Sequence, residues 1–114
     1  MNMSPSQIEY IRHIRDEINY LIKSSRDTTI EKFLIDETAQ RAFVRSLEVI
    51  GEATKKLSSE FKSKYPEIEW RVIAGTRDKL IHDYFGVDLE LVWDIVATKI
   101  PQLKDQVERI IQIE

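Results

Sequence analysis

The sequence predicts an all-α fold: a four-helix up-and-down bundle with one short extra helix, in a single domain spanning residues 1–114. Three observations predict it. Only 3 glycines and 3 prolines interrupt the 114 residues. Apolar side chains recur at intervals of three and four, the period of a helix face, rather than two. No repeat, low-complexity tract or linker divides the chain, and a chain this long buries one sizeable core.

The first helix is expected to open with Ser4 as N-cap, Pro5 at the first helical position and Gln7 closing a capping box. Its stripe is Ile8, Ile11, Ile14, Ile18, Leu21 and Ile22, ending near Ser24 and Ser25. A short helix carrying Ile30, Phe33 and Leu34 starts at Thr28, with Glu31 three residues on, and Asp36 caps the next. That long helix is expected to reach about Lys64, with Phe43, Leu47, Ile50, Thr54, Leu57 and Phe61 spaced 4-3-4-3-4. A second stripe of smaller residues, Ala42, Val49 and Ala53, gives it two apolar faces and therefore two packing partners, another subunit among the candidates. Pro66 breaks the run. A fourth helix follows over about Glu69–Phe85, stopped by Gly86. Asp88 caps the last helix, with Leu89, Val92, Val96, Ile100, Leu103, Val107 and Ile110 as its stripe and Pro101 kinking or restarting it.

Composition excludes some classes of function. With 17 basic and 20 acidic side chains the net charge is −3, which argues against the large basic footprint of an architectural DNA binder. The charge is uneven: residues 41–64 hold six basic and three acidic side chains, whereas residues 83–114 hold three basic and seven acidic. The basic long helix reads either as a face for phosphates or as a solvated surface laced with pairs such as Glu52 and Lys56. The absence of cysteine leaves no disulfide framework and no thiolate metal site. No signal peptide and no membrane span is expected, so the expected location is the cytoplasm.

Chemistry concentrates in RDKLIHDY. Of the two histidines, His13 stands among Ile11, Arg12 and Ile14 without ligand-like neighbours and reads as a surface residue. His82 lies in R-x4-H-x-Y, formed by Arg77, His82 and Tyr84. On a helix, Arg77, Ile81 and Tyr84 share one face, while Asp78 and His82, four apart, share another about 140° round from Arg77. One helix cannot aim both Arg77 and His82 at one atom. Two copies crossing at a two-fold axis would bring an Arg and a His from each into one cleft, so a homodimer with a composite site is expected. Gly75 stands just before this pair, either as a point of close backbone approach or as a tolerated interruption.

An imidazole gives and takes protons near neutral pH, and an arginine fork matches phosphate oxygens. RNA cleavage through the 2′-hydroxyl needs those two tasks: a base for the hydroxyl, an acid for the leaving 5′-oxygen, and a cation for the phosphorane. Asp78 would orient the imidazole of His82. Trp70 and Trp93 read as core or interface rather than base-stacking platforms, and Glu52 as a surface carboxylate.

The stretches RAFVRSLEVIGEATKKL and YPEIEWRVIAGTRDKLIHDYFGVDLELVWDIV resemble the HepT-like branch of the HEPN superfamily, and the similarity runs from the first helix to the last. The superfamily signature of an Arg, a polar residue, three further residues and a His is met by Arg77, Asp78, Lys79-Leu80-Ile81 and His82. Asp78 departs from the commoner Asn and brings an anionic group beside phosphate. The resemblance implies a HEPN-like dimeric bundle acting as a metal-independent endoribonuclease, the toxin of a toxin–antitoxin pair, with no cofactor. Its implied antitoxin is a minimal nucleotidyltransferase that attaches AMP to the motif tyrosine, here Tyr84. Tyr84, two helical turns from Arg77, would then place an adenylyl phosphate where RNA phosphate binds. Two other readings stay open: a non-catalytic accessory subunit of a nucleotidyltransferase complex, and a metal pair made by Asp78 and His82.

Overall fold

Ile11, Ile14, Ile18 and Leu21 repeat at 3-4-3 and so form one stripe. In the computed structural model, which describes residues 6–83 and 86–114 (for 81–83 the backbone alone), that stripe is buried along α1, Gln7–Arg26. The expected cap and proline, Ser4 and Pro5, lie outside the described residues. Ser6 is the N-cap, and the Gln7 Oε1 accepts a hydrogen bond from the Ser58 N–H at 2.8 Å, across the bundle.

α2, Ile30–Phe33, starts one residue later than expected, with the Thr29 hydroxyl accepting from the Lys32 N–H. Asp36 caps α3, Glu37–Lys56, as its sequence position predicts, its carboxylate accepting from the Ala39 N–H at 3.1 Å. The long helix stops at Lys56 rather than Lys64. Leu57 turns extended, and the Ser58 hydroxyl accepts from the Phe61 N–H to start α4, Ser59–Ser63. A serine side chain offering the backbone its own acceptor explains the break. The 4-3-4-3-4 stripe survives it, with all six residues from Phe43 to Phe61 buried. Thr54, fully buried, keeps its hydroxyl satisfied by donating to the Ile50 carbonyl at 2.8 Å.

The expected fourth helix, Glu69–Phe85, is replaced by three shorter elements. α5 is Trp70–Ala74, α6 is Thr76–Leu80, and Gly75 separates them. The chain then turns extended: β1, Ile81–Asp83, pairs antiparallel with β2, Gly86–Val87, through Ile81 opposite Val87 and Asp83 opposite Gly86. A central glycine weakens the helix, and Ile81, Tyr84, Phe85 and Val87 are residue types that favour strands. Gly86 takes φ +108°, open to glycine and strained for other residues.

Asp88 caps the last helix as expected, its carboxylate accepting from the Leu91 N–H at 3.0 Å. α7, Leu89–Asp94, runs through a π turn at Ile95–Lys99 into α8, Ile100–Ile113. Pro101, which has no N–H to give, follows directly after the turn in which the Ile100 N–H reaches back five residues to the Ile95 carbonyl. The helix is thus adjusted at the proline without being broken. α1 packs against α3 and α8, and α5 and α6 lie on α3. The all-α helical bundle expected from the sequence is the fold observed, with a two-stranded ribbon where the fourth helix was to continue. Both tryptophans serve packing. Trp70 is buried, its indole N–H donating to the Lys62 and Tyr65 carbonyls, and Trp93 lies against Phe33 with ring centroids 5.5 Å apart.

Candidate active site

Gly51 sets the geometry around Arg77. A Cβ placed on it would stand 3.4 Å from the Ile73 carbonyl oxygen and 3.5 Å from that of Ala74. The backbone of α5 therefore lies almost directly against α3. This approach carries the start of α6 over the α3 turn just before Gly51, where Glu48 projects. Arg77 Nε meets Glu48 Oε2 at 3.3 Å, with the arginine side chain 56% exposed and the glutamate 21%. Glu48 is a residue that sequence reasoning passed over. Its signal was available: it precedes Gly51 by one helical turn, on the side that a glycine opens to close packing.

Glu48, though not Arg77, also helps to line an open groove of about 690 Å³ whose wall mixes Leu34, Ile35, Val87 and Leu89 with the polar Gln40 and Arg41. Its walls therefore include the carboxylate partner of Arg77 and a residue of β2, the strand paired to the one carrying His82. Its apolar lining is incompletely covered, since Ile35 is 86% exposed.

The expected site residues fare differently. Arg77 is exposed on α6 with Glu48 as partner. Asp78 is exposed beside it on α6. The His82 backbone lies in β1, beyond the end of the helix, so the expected i,i+4 relation of Asp78 to His82 does not hold. The expected shared face of Arg77 and Tyr84 falls on Tyr84, which lies outside the described residues. With His82 in an extended segment after α6, the 140° separation between it and Arg77 on a helix wheel no longer describes their relation. His13 and Glu52 are exposed, as expected. Among the described residues no group of three or more His, Cys, Asp or Glu converges as metal ligands, and no helix is long and apolar enough to cross a membrane.

Among the described side chains, two show clear proton-affinity shifts, and both lie away from this groove. The Tyr65 hydroxyl donates to the Glu114 carboxylate, which Lys64 also approaches at 3.5 Å. That hydrogen bond, with burial second, raises the Tyr65 pKa to about 12, and the same bond lowers that of Glu114 against the opposing effect of burial.

The family model described as "Ribonuclease HepT-like" matches residues 8–110. A protein of Caldanaerobacter subterraneus subsp. tengcongensis named "Putative RNase" is 47% identical over 105 residues, covering 92% of this chain and 94% of the relative. A "Probable ribonuclease HepT" of Thermococcus cleftensis is 43% identical over 108 residues, covering 95% and 98%. A further "Putative RNase", from Methanocaldococcus jannaschii, is 44% identical over 103 residues, covering 90% and 85%. No solved structure gives a significant match.

Proposed function

The chain belongs to the HepT-like ribonuclease family, and on that premise we propose that it is a metal-independent endoribonuclease whose working groups are Arg77 and His82. The observation that carries the site is the exposed Arg77 guanidinium, anchored by Glu48 at the wall of a groove that also borders the His82 strand pair. Arg77 neutralises the scissile phosphate and the charge that builds on the phosphorane. His82 moves the proton, taken from the 2′-hydroxyl or given to the 5′-oxygen as that bond breaks. A single histidine serves one of those tasks well. A second copy of the chain across the groove supplies the other, which supports a homodimer with a composite site. The almost fully exposed Ile35, beside Leu34 on the groove wall, supports the same arrangement.

In this reading the chain is the toxin of a pair, and a nucleotidyltransferase neutralises it by adenylylating Tyr84. The phenolic oxygen attacks the α-phosphorus of ATP, pyrophosphate leaves, and the attached AMP adds bulk and negative charge to the motif segment. Asp78 acts in support of His82 through the short chain segment between them, not through a shared helix face.

The test is cleavage of RNA by purified protein in excess chelator. The wild-type chain is expected to cut and His82→Ala to lose visible cleavage, since general acid–base help contributes about 10²–10⁴ in rate. A His82→Ala protein cutting at the wild-type rate would sink the assignment.

A further inference from the structure

Three ion pairs join side chains that are neighbours in sequence or one helical turn apart: Arg15 with Asp16, Arg41 with Glu37, and Lys104 with Glu108. Among the described residues two pairs join distant parts of the chain, Lys64 with Glu114 and Arg77 with Glu48, and only the second stands at the groove, bridging α6 and α3 where Gly51 brings the backbones together. Its carboxylate is the better buried half. With its guanidinium half in solvent the pair contributes only modestly to folding.

A guanidinium has two edges that can grip an oxyanion, one shared by Nε and one terminal nitrogen, the other by the two terminal nitrogens. The glutamate oxygen sits on the Nε side at 3.3 Å. The remaining edge is the one suited to a phosphate. We propose that Glu48 is a positioning residue for the cleavage: it holds Arg77 from the Nε side with the terminal edge toward RNA phosphate, and its charge weakens ground-state binding of that phosphate. The proposal rests on the ribonuclease reading of the site. The glutamate acts through the arginine and does not itself touch substrate.

Removing the carboxylate therefore has opposite effects on two quantities. The potential at Arg77 becomes more positive, so RNA binds more tightly. The guanidinium loses its fixed orientation, so the transition state is held less well, and misplacement of a catalytic group costs up to about 10²-fold in rate. A merely structural residue would not produce that split.

The experiment measures kcat, KM and direct RNA affinity for wild type, Glu48→Gln and Glu48→Ala, alone and with Arg77→Ala, on one short RNA. Thermal unfolding reports whether each variant folds, and the isosteric Gln variant carries the test if the Ala variant does not. The expected result is a kcat about ten- to a hundredfold lower, a lower KM, and an affinity gain that vanishes when Arg77 is absent. An unchanged kcat, a raised KM, or an affinity gain that persists without Arg77 overturns the proposal. Wild-type cleavage by Arg77→Ala alone is a separate outcome: it removes the ribonuclease reading of this site, and the role of Glu48 with it.

Discussion

A side chain at Gly51 would reach to 3.4 Å from the backbone oxygen of Ile73, ordinary contact distance with no room behind it. A methyl group fits there, and anything larger does not. Gly51→Ala is therefore expected to be neutral or to stabilise by up to about 1 kcal/mol, because alanine is the better helix former. Gly51→Leu is expected to push α5 from α3, lower the melting temperature and depress RNA cleavage by separating Glu48 from Arg77. Denaturant titration of both variants, with cleavage rates, checks the pair. A destabilised Ala variant would contradict the geometry.

Lysine in place of Arg77 keeps the charge and loses the fork. Arg77→Ala is expected to lower kcat by about 10²–10³, the loss typical of removing one preorganised donor to a developing charge. Arg77→Lys is expected to bind RNA nearly as well as wild type while recovering only part of the rate. Steady-state kinetics on a defined RNA separates the two variants, and equal kcat values for Lys and Arg would argue against fork-like recognition of phosphate.

Gly86 adopts φ +108° at the start of β2, opposite Asp83 in the ribbon that carries His82. Any side chain there is strained. Gly86→Ala is expected to cost roughly 1–2 kcal/mol in global or local stability. Faster amide exchange at the β1–β2 pairing, together with reduced cleavage, is the anticipated signature.

Between Tyr65 and Glu114 the prediction concerns pH. The tyrosine pKa is raised from 10.0 to about 12 by its hydrogen bond to the carboxylate. A raised value means that the unfolded chain releases its proton first, so this contribution is whole below pH 10 and is lost as pH climbs toward 12. The Glu114 carboxyl is lowered by the same bond, so its contribution is present above the ordinary carboxyl range and fades as the solution is acidified. Melting temperature measured against pH should fall on both sides, and Tyr65→Phe should flatten the alkaline side. An unaltered alkaline limb in that variant would count against the linkage.

The capped helices were the legible part of the fold. Asp36 and Asp88 sit where an acidic side chain can serve two helix-start N–H groups, and the buried stripes of α1, α3 and α8 follow a period that needs only counting. The segment after Trp70 was not legible to the same degree. Arg77, Ile81 and Tyr84 fit a helical period, yet Ile81 and its neighbours serve a strand equally well, and tertiary pairing with Val87 decides. Of the site, Arg77 was readable because its residue type and motif announce phosphate chemistry. Glu48 left a weaker signal, its place one turn before Gly51, because an acidic residue on a long helix looks like solvent-facing charge until another element is laid across it.

Ile35 stands almost wholly exposed on the rim of the groove that Glu48 and Val87 help to wall. Under the proposed dimer, covering that side chain and completing the catalytic groups are one event, so dose sets potency. At low copy number the chains part, each with half a site and a sticky edge, and specific activity falls with dilution. A cell carrying this protein would tolerate leaky expression and feel the full effect only when synthesis outruns a threshold.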